Sequence, residues 1–270
     1  MTAFHPAAVV AAIAGSLTLL APIPEAVAAG PQGRVGQFVV ECGWSHSTFD
    51  DPIVHPGHSG ASHRHDFFGN SSTSATSTYE ELLDASTTCQ QRLDTAAYWA
   101  PSLLSADGTP VVPISATAYY RAGLGIDPST VEAYPPDLRM LGGGDEASAG
   151  WTCRAGSERS VMPPGCAATA GLRLAVVFPD CWDGIHTDSA DHRAHVATSA
   201  GGCPASHPVP IPVLELVIDY GPVDPRRLTL SSGSVSSAHA DFWNAWDQVK
   251  LETEVELCLR RQQVCAVSSG

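Results

Sequence analysis

The chain has 270 residues, of which 44% are hydrophobic and only 16% charged, with 24 glycines and 21 prolines, a composition that predicts many loops and few helices in one large or two small domains. Twenty-eight acidic against 14 basic side chains give a net charge of −14. That balance argues against nucleic acid and anionic membrane surfaces as partners and leaves neutral substrates, cations and cationic surfaces open.

Residues 7 to 23 are almost entirely apolar, and Ala26-Val27-Ala28 follows with the small-x-small pattern of a cleavage site. The run is short for a membrane span and is broken by Pro22 and Pro24, so residues 1–28 read as a signal peptide rather than an anchor, although the n-region carries His5 in place of Lys or Arg. No later stretch is apolar for long enough to cross a bilayer. The expectation is a secreted, extracellular protein whose residues 29–270 form a single domain.

Along the chain, Gly36–Glu41 is the first strand-like run. Residues 50–70 follow, a segment with four histidines, three aspartates and three glycines that shows neither helical nor strand periodicity. Thr78-Tyr79-Glu80-Glu81 has capping-box spacing and predicts a short helix running into Leu82-Leu83. Ala96–Leu104 and Val111–Arg121 are again strand-like. Residues 122–170, with Gly142-Gly143-Gly144 and Pro163-Pro164-Gly165, read as long loops. Further strands are expected at Gly171–Phe178, Val213–Tyr220 and Arg227–Ser231. Asp241 could cap a helix over Phe242–Val249, in which Phe242, Ala245, Trp246 and Val249 share one face, and the alternation of Val255, Leu257 and Leu259 predicts a closing strand. The class is therefore all-β, a sandwich or jelly roll with long loops and one or two peripheral helices.

Eight cysteines, Cys42, Cys89, Cys153, Cys166, Cys181, Cys203, Cys258 and Cys265, all follow the signal segment and predict four disulfides. Many connectivities are possible. Short spacing favours Cys153–Cys166, Cys181–Cys203 and Cys258–Cys265, which leaves Cys42–Cys89. The absence of Cys-x-x-Cys speaks against a zinc ribbon or a thioredoxin-type centre.

Three distant segments carry matching polar chemistry. His63-x-His65 would place two imidazoles on one side of an extended chain, a common way to present nitrogen ligands to one divalent metal ion. His192-x-x-His195 brings two more rings together on a helical turn, with Asp188 and Asp191 near enough in sequence to orient them. His239-x-Asp241 is the third, and Asp51 adds a carboxylate beside the first. His63, His65, His192, His195, His239 and Asp241 are thus candidate catalytic residues, and His63, His65 and His239 candidate metal ligands. The same histidines could instead transfer protons on a sugar or ester. Arg64, Arg121, Arg139 or Arg193 could neutralise a substrate carboxylate. Asp51, Arg121, Trp182 and Trp243 are candidate substrate-binding residues, tryptophan because an exposed indole stacks on sugar rings; the competing role for any tryptophan in a sandwich is core packing. A serine nucleophile lacks the Gly-x-Ser-x-Gly spacing. Asn70-Ser71-Ser72 fits an N-glycosylation acceptor.

The motifs form an ordered series. Asp50-Asp51-Pro52-Ile53-Val54 leads to Ser62-His63-x-His65-x-Phe67-x-Gly69-Asn70, then Tyr119-Tyr120-Arg121, Phe178-Pro179-Asp180-Cys181-Trp182-Asp183-Gly184, Asp191-His192-x-x-His195 and Ser237-Ala238-His239-Ala240-Asp241-Phe242-x-Asn244-Ala245-Trp246-Asp247. Over residues 36–265 this resembles a family of secreted fungal and bacterial proteins known as a domain of unknown function, in fungi sometimes fused to WSC-type carbohydrate-binding modules. The resemblance implies a secreted, disulfide-bonded protein acting outside the cell at polysaccharide or cell wall; the polar segments themselves leave open a polysaccharide-active hydrolase or lyase and a non-catalytic carbohydrate- or wall-binding protein. It supplies no reaction.

Overall fold

In the computed structural model, residues 1–2, 35–154, 158–167 and 169–265 are described. The expected signal peptide, apart from Met1 and Thr2, lies outside them. Among the described residues the chain forms fifteen strands and two short α-helices. In order they are β1 (Gln37–Thr48), β2 (His65–Gly69), α1 (Tyr79–Asp84), β3 (Ala97–Pro101), β4 (Leu103–Leu104), β5 (Ser115–Arg121), β6 (Arg139–Gly143), β7 (Ala149–Thr152) and β8 (Leu172–Val177). Then come β9 (Cys181–Trp182), β10 (Val196–Ala197), β11 (Val209–Pro210), β12 (Val213–Gly221), β13 (Thr229–Leu230), β14 (His239–Trp243), α2 (Gln248–Glu254) and β15 (Val264–Cys265). The mainly β class is as expected, and no described helix is long and apolar enough to cross a membrane.

β1 organises the molecule because its two halves pair with different strands. Gln37 to Gly43 run antiparallel to β5, whereas Trp44 to Thr48 run antiparallel to β2, with a register shift between Trp44 and His46. The long sheet therefore has the order β6-β14-β3-β2-β1-β5-β12-β8-β7, and β15 adds to the start of β1. The far ends of this order meet. Gly142 of β6 packs so closely on Phe178 that a Cβ would stand 2.8 Å from its ring, and a Cβ on Gly143 would come within 3.1 Å of Val176 of β8. Glycine is needed there for the sheet to curl back on itself, midway between sandwich and barrel. The expected loop over residues 122–170 thus contains two strands, β6 and β7, the first of them ending in the glycine run.

Strands with one solvated face were legible. In β5, Ala116, Ala118 and Tyr120 are buried while Ser115, Thr117, Tyr119 and Arg121 are half-exposed, the alternation that period-two geometry requires. β2 was not legible, because all five of its residues are buried and a strand covered on both faces does not alternate. α1 forms behind the expected capping box, with Thr78 accepting from the Glu81 amide and Glu81 reaching back to the Thr78 amide. Two expectations near the C-terminus are corrected. Asp241 lies within β14, and the helix starts later, at Gln248, where Asp247 caps the Lys250 amide. Val255–Arg260 is π-helical rather than a strand, since Leu251, Val255 and Leu259 share one buried face at helical spacing.

The main core gathers Phe38, Tyr98, Tyr120, Trp151, Phe242 and Trp246. A second, smaller core of Ile53, Phe67, Leu82, Ala97, Trp99, Trp243 and Ala245 lies on the opposite face of β2, β3 and β14, under the segment after β1 and under α1. Asn70 is buried, its Nδ2 donating to the carbonyls of Leu82 and Thr95, so it is no glycan acceptor. The four disulfides join Cys42–Cys89, Cys153–Cys166, Cys181–Cys203 and Cys258–Cys265, the pairing that spacing favoured. Cys42 and Cys89 are 47 residues apart, Cys258 and Cys265 only 7. Loop-closure entropy then predicts that replacing the first pair by serine costs about 4 kcal/mol and the second about 2 kcal/mol, a ranking that denaturant unfolding of the two double variants checks.

Candidate metal centre

Strand register assembles the centre. His65 of β2 stands opposite Pro101 of β3, and Phe67 opposite Trp99, which in turn faces Asp241 of β14. Residues two apart on a strand share a face, so His65, Phe67, Trp99, Pro101, His239 and Asp241 all lie on the side of the smaller core. His63, just ahead of β2, continues that row. Ring centroids are 4.2 Å apart for His63 and His65, 5.3 Å for His63 and His239, and 6.3 Å for His65 and His239. One nitrogen from each of the three lies within 4.8 Å of the others, and carboxylate oxygens of Asp51 and Asp241 lie equally close to a His65 nitrogen. Two groups of three, sharing His65, are therefore assembled from two distant segments, residues 51–65 and β14.

The turn after β1 supplies the cover. Asp50 spends both carboxylate oxygens on backbone, accepting from the Gly60 and Ala75 amides, and Asp51 Oδ1 accepts from the Ile53 and Val54 amides. These bonds pin a segment with little apolar surface of its own. They also place the Asp50 carbonyl where it accepts the His65 Nδ1 proton at 2.9 Å, while the Ser237 carbonyl accepts from His239 Nδ1 at 2.8 Å. A carbonyl can only accept, so both rings carry their proton on Nδ1 and turn an Nε2 lone pair toward the cluster. This is the outer-shell arrangement that orients metal-binding histidines.

Three buried atoms here have no hydrogen-bond partner: Nε2 of His63, Nε2 of His65 and Oδ2 of Asp241. Each such orphan costs on the order of 1–3 kcal/mol, and three at one point are rarely left without a ligand. Burial, reinforced by the neighbouring His239 and His55, lowers the His63 pKa to about 4. Burial and then His63 hold His65 well below the usual histidine range, and burial also lowers His239. All three are thus neutral imidazoles, the form that binds metal. Burial, then the charge of Asp51, pushes the Asp241 carboxyl well above its ordinary value. Three neutral imidazoles, one nitrogen of each within 4.8 Å of the others, suit one divalent cation, with the Asp51 and Asp241 carboxylates beside His65: at about 2.1 Å per bond, tetrahedral ligand atoms stand about 3.4 Å apart, a modest contraction of that spacing. His63 is only half-buried, so the centre opens to solvent on that side.

Other candidates lie elsewhere. His195 is buried with Nε2 on the Arg139 carbonyl at 2.6 Å and Nδ1 on Ser189 Oγ, and His192 Nδ1 bonds Asp188 Oδ1. Arg139 pairs with Trp243, at the opposite end of β14 from His239, so neither ring joins the three-histidine cluster. His195→Gln is expected to cost about 1–3 kcal/mol, through the partners it leaves unpaired, with metal uptake unchanged, as thermal unfolding and dialysis would show. Arg121 faces Gln37 at the start of β1, whereas His65 pairs with Thr48 at its end, about 35 Å away along the strand. Its guanidinium is bound to Glu215 and Gln37. Trp243 is 1% exposed, with Nε1 donated to Asp137 and Arg139 stacked on its ring, which corrects its expected role as a sugar platform. Trp99, Trp151 and Trp246 are buried too, and Trp182 is partly exposed with Nε1 on the His186 carbonyl. Asp50 was the residue that sequence alone undervalued; its signal was the turn-forming Asp-Asp-Pro.

With the geometry in hand, comparison with known proteins adds one match. The family model described as "Domain of unknown function (DUF1996)" fits residues 51–246, a span that begins at Asp51 and contains all five residues of the cluster. No curated protein and no solved structure matches the chain.

Proposed function

The chain belongs to the DUF1996 family, and we propose that it is an extracellular metalloprotein whose centre, built from His63, His65, His239, Asp51 and Asp241, acts on polysaccharide of the cell wall by hydrolysis or lysis. The observation that carries the metal is the set of three orphaned buried atoms, His63 Nε2, His65 Nε2 and Asp241 Oδ2, within a cluster in which the Nδ1 atoms of His65 and His239 are already committed to backbone carbonyls. Nitrogen-rich donors of this kind favour zinc, manganese, iron, nickel or copper over calcium or magnesium. Such an ion supplies Lewis acidity and a water acidified to near neutrality. The chain itself holds the imidazoles in one tautomer, supplies carboxylates to neutralise the charge, and leaves the half-buried His63 side open to substrate. Four disulfides support an extracellular setting, and the resemblance to secreted proteins, which implies action at polysaccharide or cell wall, supports the substrate class.

A non-catalytic reading is favoured by one observation: His65 and Asp241 are 0% and 2% exposed, the burial expected of a structural ion. Elemental analysis after metal reconstitution, followed by a polysaccharide panel comparing wild type with His63→Ala, separates the two. About one equivalent of metal, and products that vanish in the variant, support the enzyme. Binding that persists with no product from either protein supports the structural ion, and less than about a tenth of an equivalent of metal defeats both.

A further inference from the structure

The loop Asp191-His192-Arg193-Ala194-His195 contributes no histidine to the centre, yet it holds an arginine beside it. Asp191 Oδ1 accepts from the Arg193 and Ala194 amides at 3.1 and 2.8 Å and from Ser189 Oγ. His192 adopts φ +56° with its ring tied to Asp188, and His195 anchors the loop to the carbonyl of Arg139. Held in this way, Arg193 is exposed at the surface, with Nη2 3.8 Å from where a Cβ on Gly144 would stand. Gly144 donates its amide to the Ala238 carbonyl, and Gly143 pairs with His239. The guanidinium thus sits next to the β6–β14 edge that carries His239, and its charge acts on His239 and Asp241 as well as on Asp145.

The other arginines first considered for substrate binding are occupied. Arg64 pairs with Asp66, Arg121 with Glu215, and Arg139 with Asp137 and Asp188. Among the described residues Arg193 has no carboxylate within ion-pair distance. The geometry points to Arg193 as the anchor for an anionic group of the substrate, which makes the centre selective for a carboxylated or phosphorylated saccharide over a neutral one. This rests on the metal-centre reading above. The planar guanidinium binds carboxylate or phosphate through two parallel hydrogen bonds, whereas a neutral sugar hydroxyl gains far less from it. With a net charge of −14 the protein repels polyanions at long range, so the anchor serves one anionic unit at the centre rather than a track along a polymer.

The test is calorimetric titration of zinc-loaded wild type, Arg193→Gln and Arg193→Lys with trigalacturonate, with the neutral galactose trisaccharide, and with glucose 6-phosphate. Wild type is expected to bind at least one anionic probe about tenfold or more tighter than the neutral one. Arg193→Gln should lose that margin without changing neutral binding, and Arg193→Lys should keep part of it; preference for the carboxylate or the phosphate probe then names the source. Equal affinity of wild type for charged and neutral probes, no binding of any probe, or full anion binding by Arg193→Gln overturns the inference. Zinc content of the same samples separates the two claims. Wild type without zinc defeats the centre and this inference together, whereas zinc-loaded wild type without anion preference defeats this inference alone.

Discussion

His65→Ala should abolish stoichiometric uptake of a divalent transition metal while leaving the sheet folded. His65 is the member shared by both ligand groupings, with His63 and His239 on one side and with Asp51 and Asp241 on the other. Its Nε2 is buried without a partner, so removing the ring deletes a donor that no water reaching the surface of the protein could replace. Losing only an outer-shell partner of a metal ligand costs roughly 10–100-fold in affinity, and losing the ligand itself should exceed that. The ring also packs edge-on to Phe67, so a stability loss of about 2 kcal/mol is expected alongside. Asp241→Asn keeps the volume and removes the charge, and should weaken uptake without that packing loss. Competition with a chromogenic chelator measures both. Affinities of His65→Ala and Asp241→Asn equal to wild type would remove the centre from consideration, because His195→Gln supplies the control for a buried histidine outside it.

The second large effect concerns a carboxyl that the centre does not use. Asp94 is fully buried in the main core, accepting from Tyr98 Oη at 2.8 Å and from the Ala96 amide, with Tyr98 and Tyr120 hydroxyls in contact and Trp246 Nε1 donated to Tyr120. Burial raises its pKa to about 8, more than these two hydrogen bonds lower it. In the unfolded chain the same group titrates near 3.8. Between these values the folded protein holds a proton that the unfolded chain has lost, so stability falls as pH rises from about 4 to about 8 and is flat beyond. At 1.36 kcal/mol per unit, Asp94 accounts for up to about 6 kcal/mol of that decline. Asp94→Asn cannot ionise, and its amide can accept from Ala96 and donate to Tyr98. The variant should therefore match wild type near pH 5 and exceed it near pH 8. Denaturant unfolding of metal-free protein at the two pH values, with disulfides intact, reads this directly. Parallel losses in the two proteins would place the dependence elsewhere, on Asp66 or Asp241, whose carboxyls burial shifts the same way.

Much of the site was legible before the fold. His63, His65, His239 and Asp241 stood out because imidazoles and carboxylates at a spacing of two signal a shared face whatever the strand order, and Asp51, a substrate-binding candidate, was the carboxylate beside the first pair. His192 and His195 carried an equal signal and lie outside the cluster, since sequence spacing does not reveal that His195 already commits both ring nitrogens to a backbone carbonyl and a serine, or that His192 is tied to Asp188. Trp243 shows the same limit: its place among polar residues suggested exposure, and only the packing of α1 and the segment after β1 over β14 buries it. Asp241 was ambiguous between helix cap and strand residue because the aromatic run after it, buried on both faces, has no period to read.

What the sequence determined by itself is the chemistry available and the local devices: four disulfides, the capping box of α1, the alternating strand β5, and a store of histidine and aspartate on three segments. These depend on neighbours within a few residues or on composition, and so they survive without a fold. What only the tertiary structure decided is which of those groups meet. β1 changes partners midway and β6 curls back onto β8, and that long-range register, fixed by burial on both faces of the sheet, sets His239 and Asp241 beside His65 and leaves Arg193 at the rim.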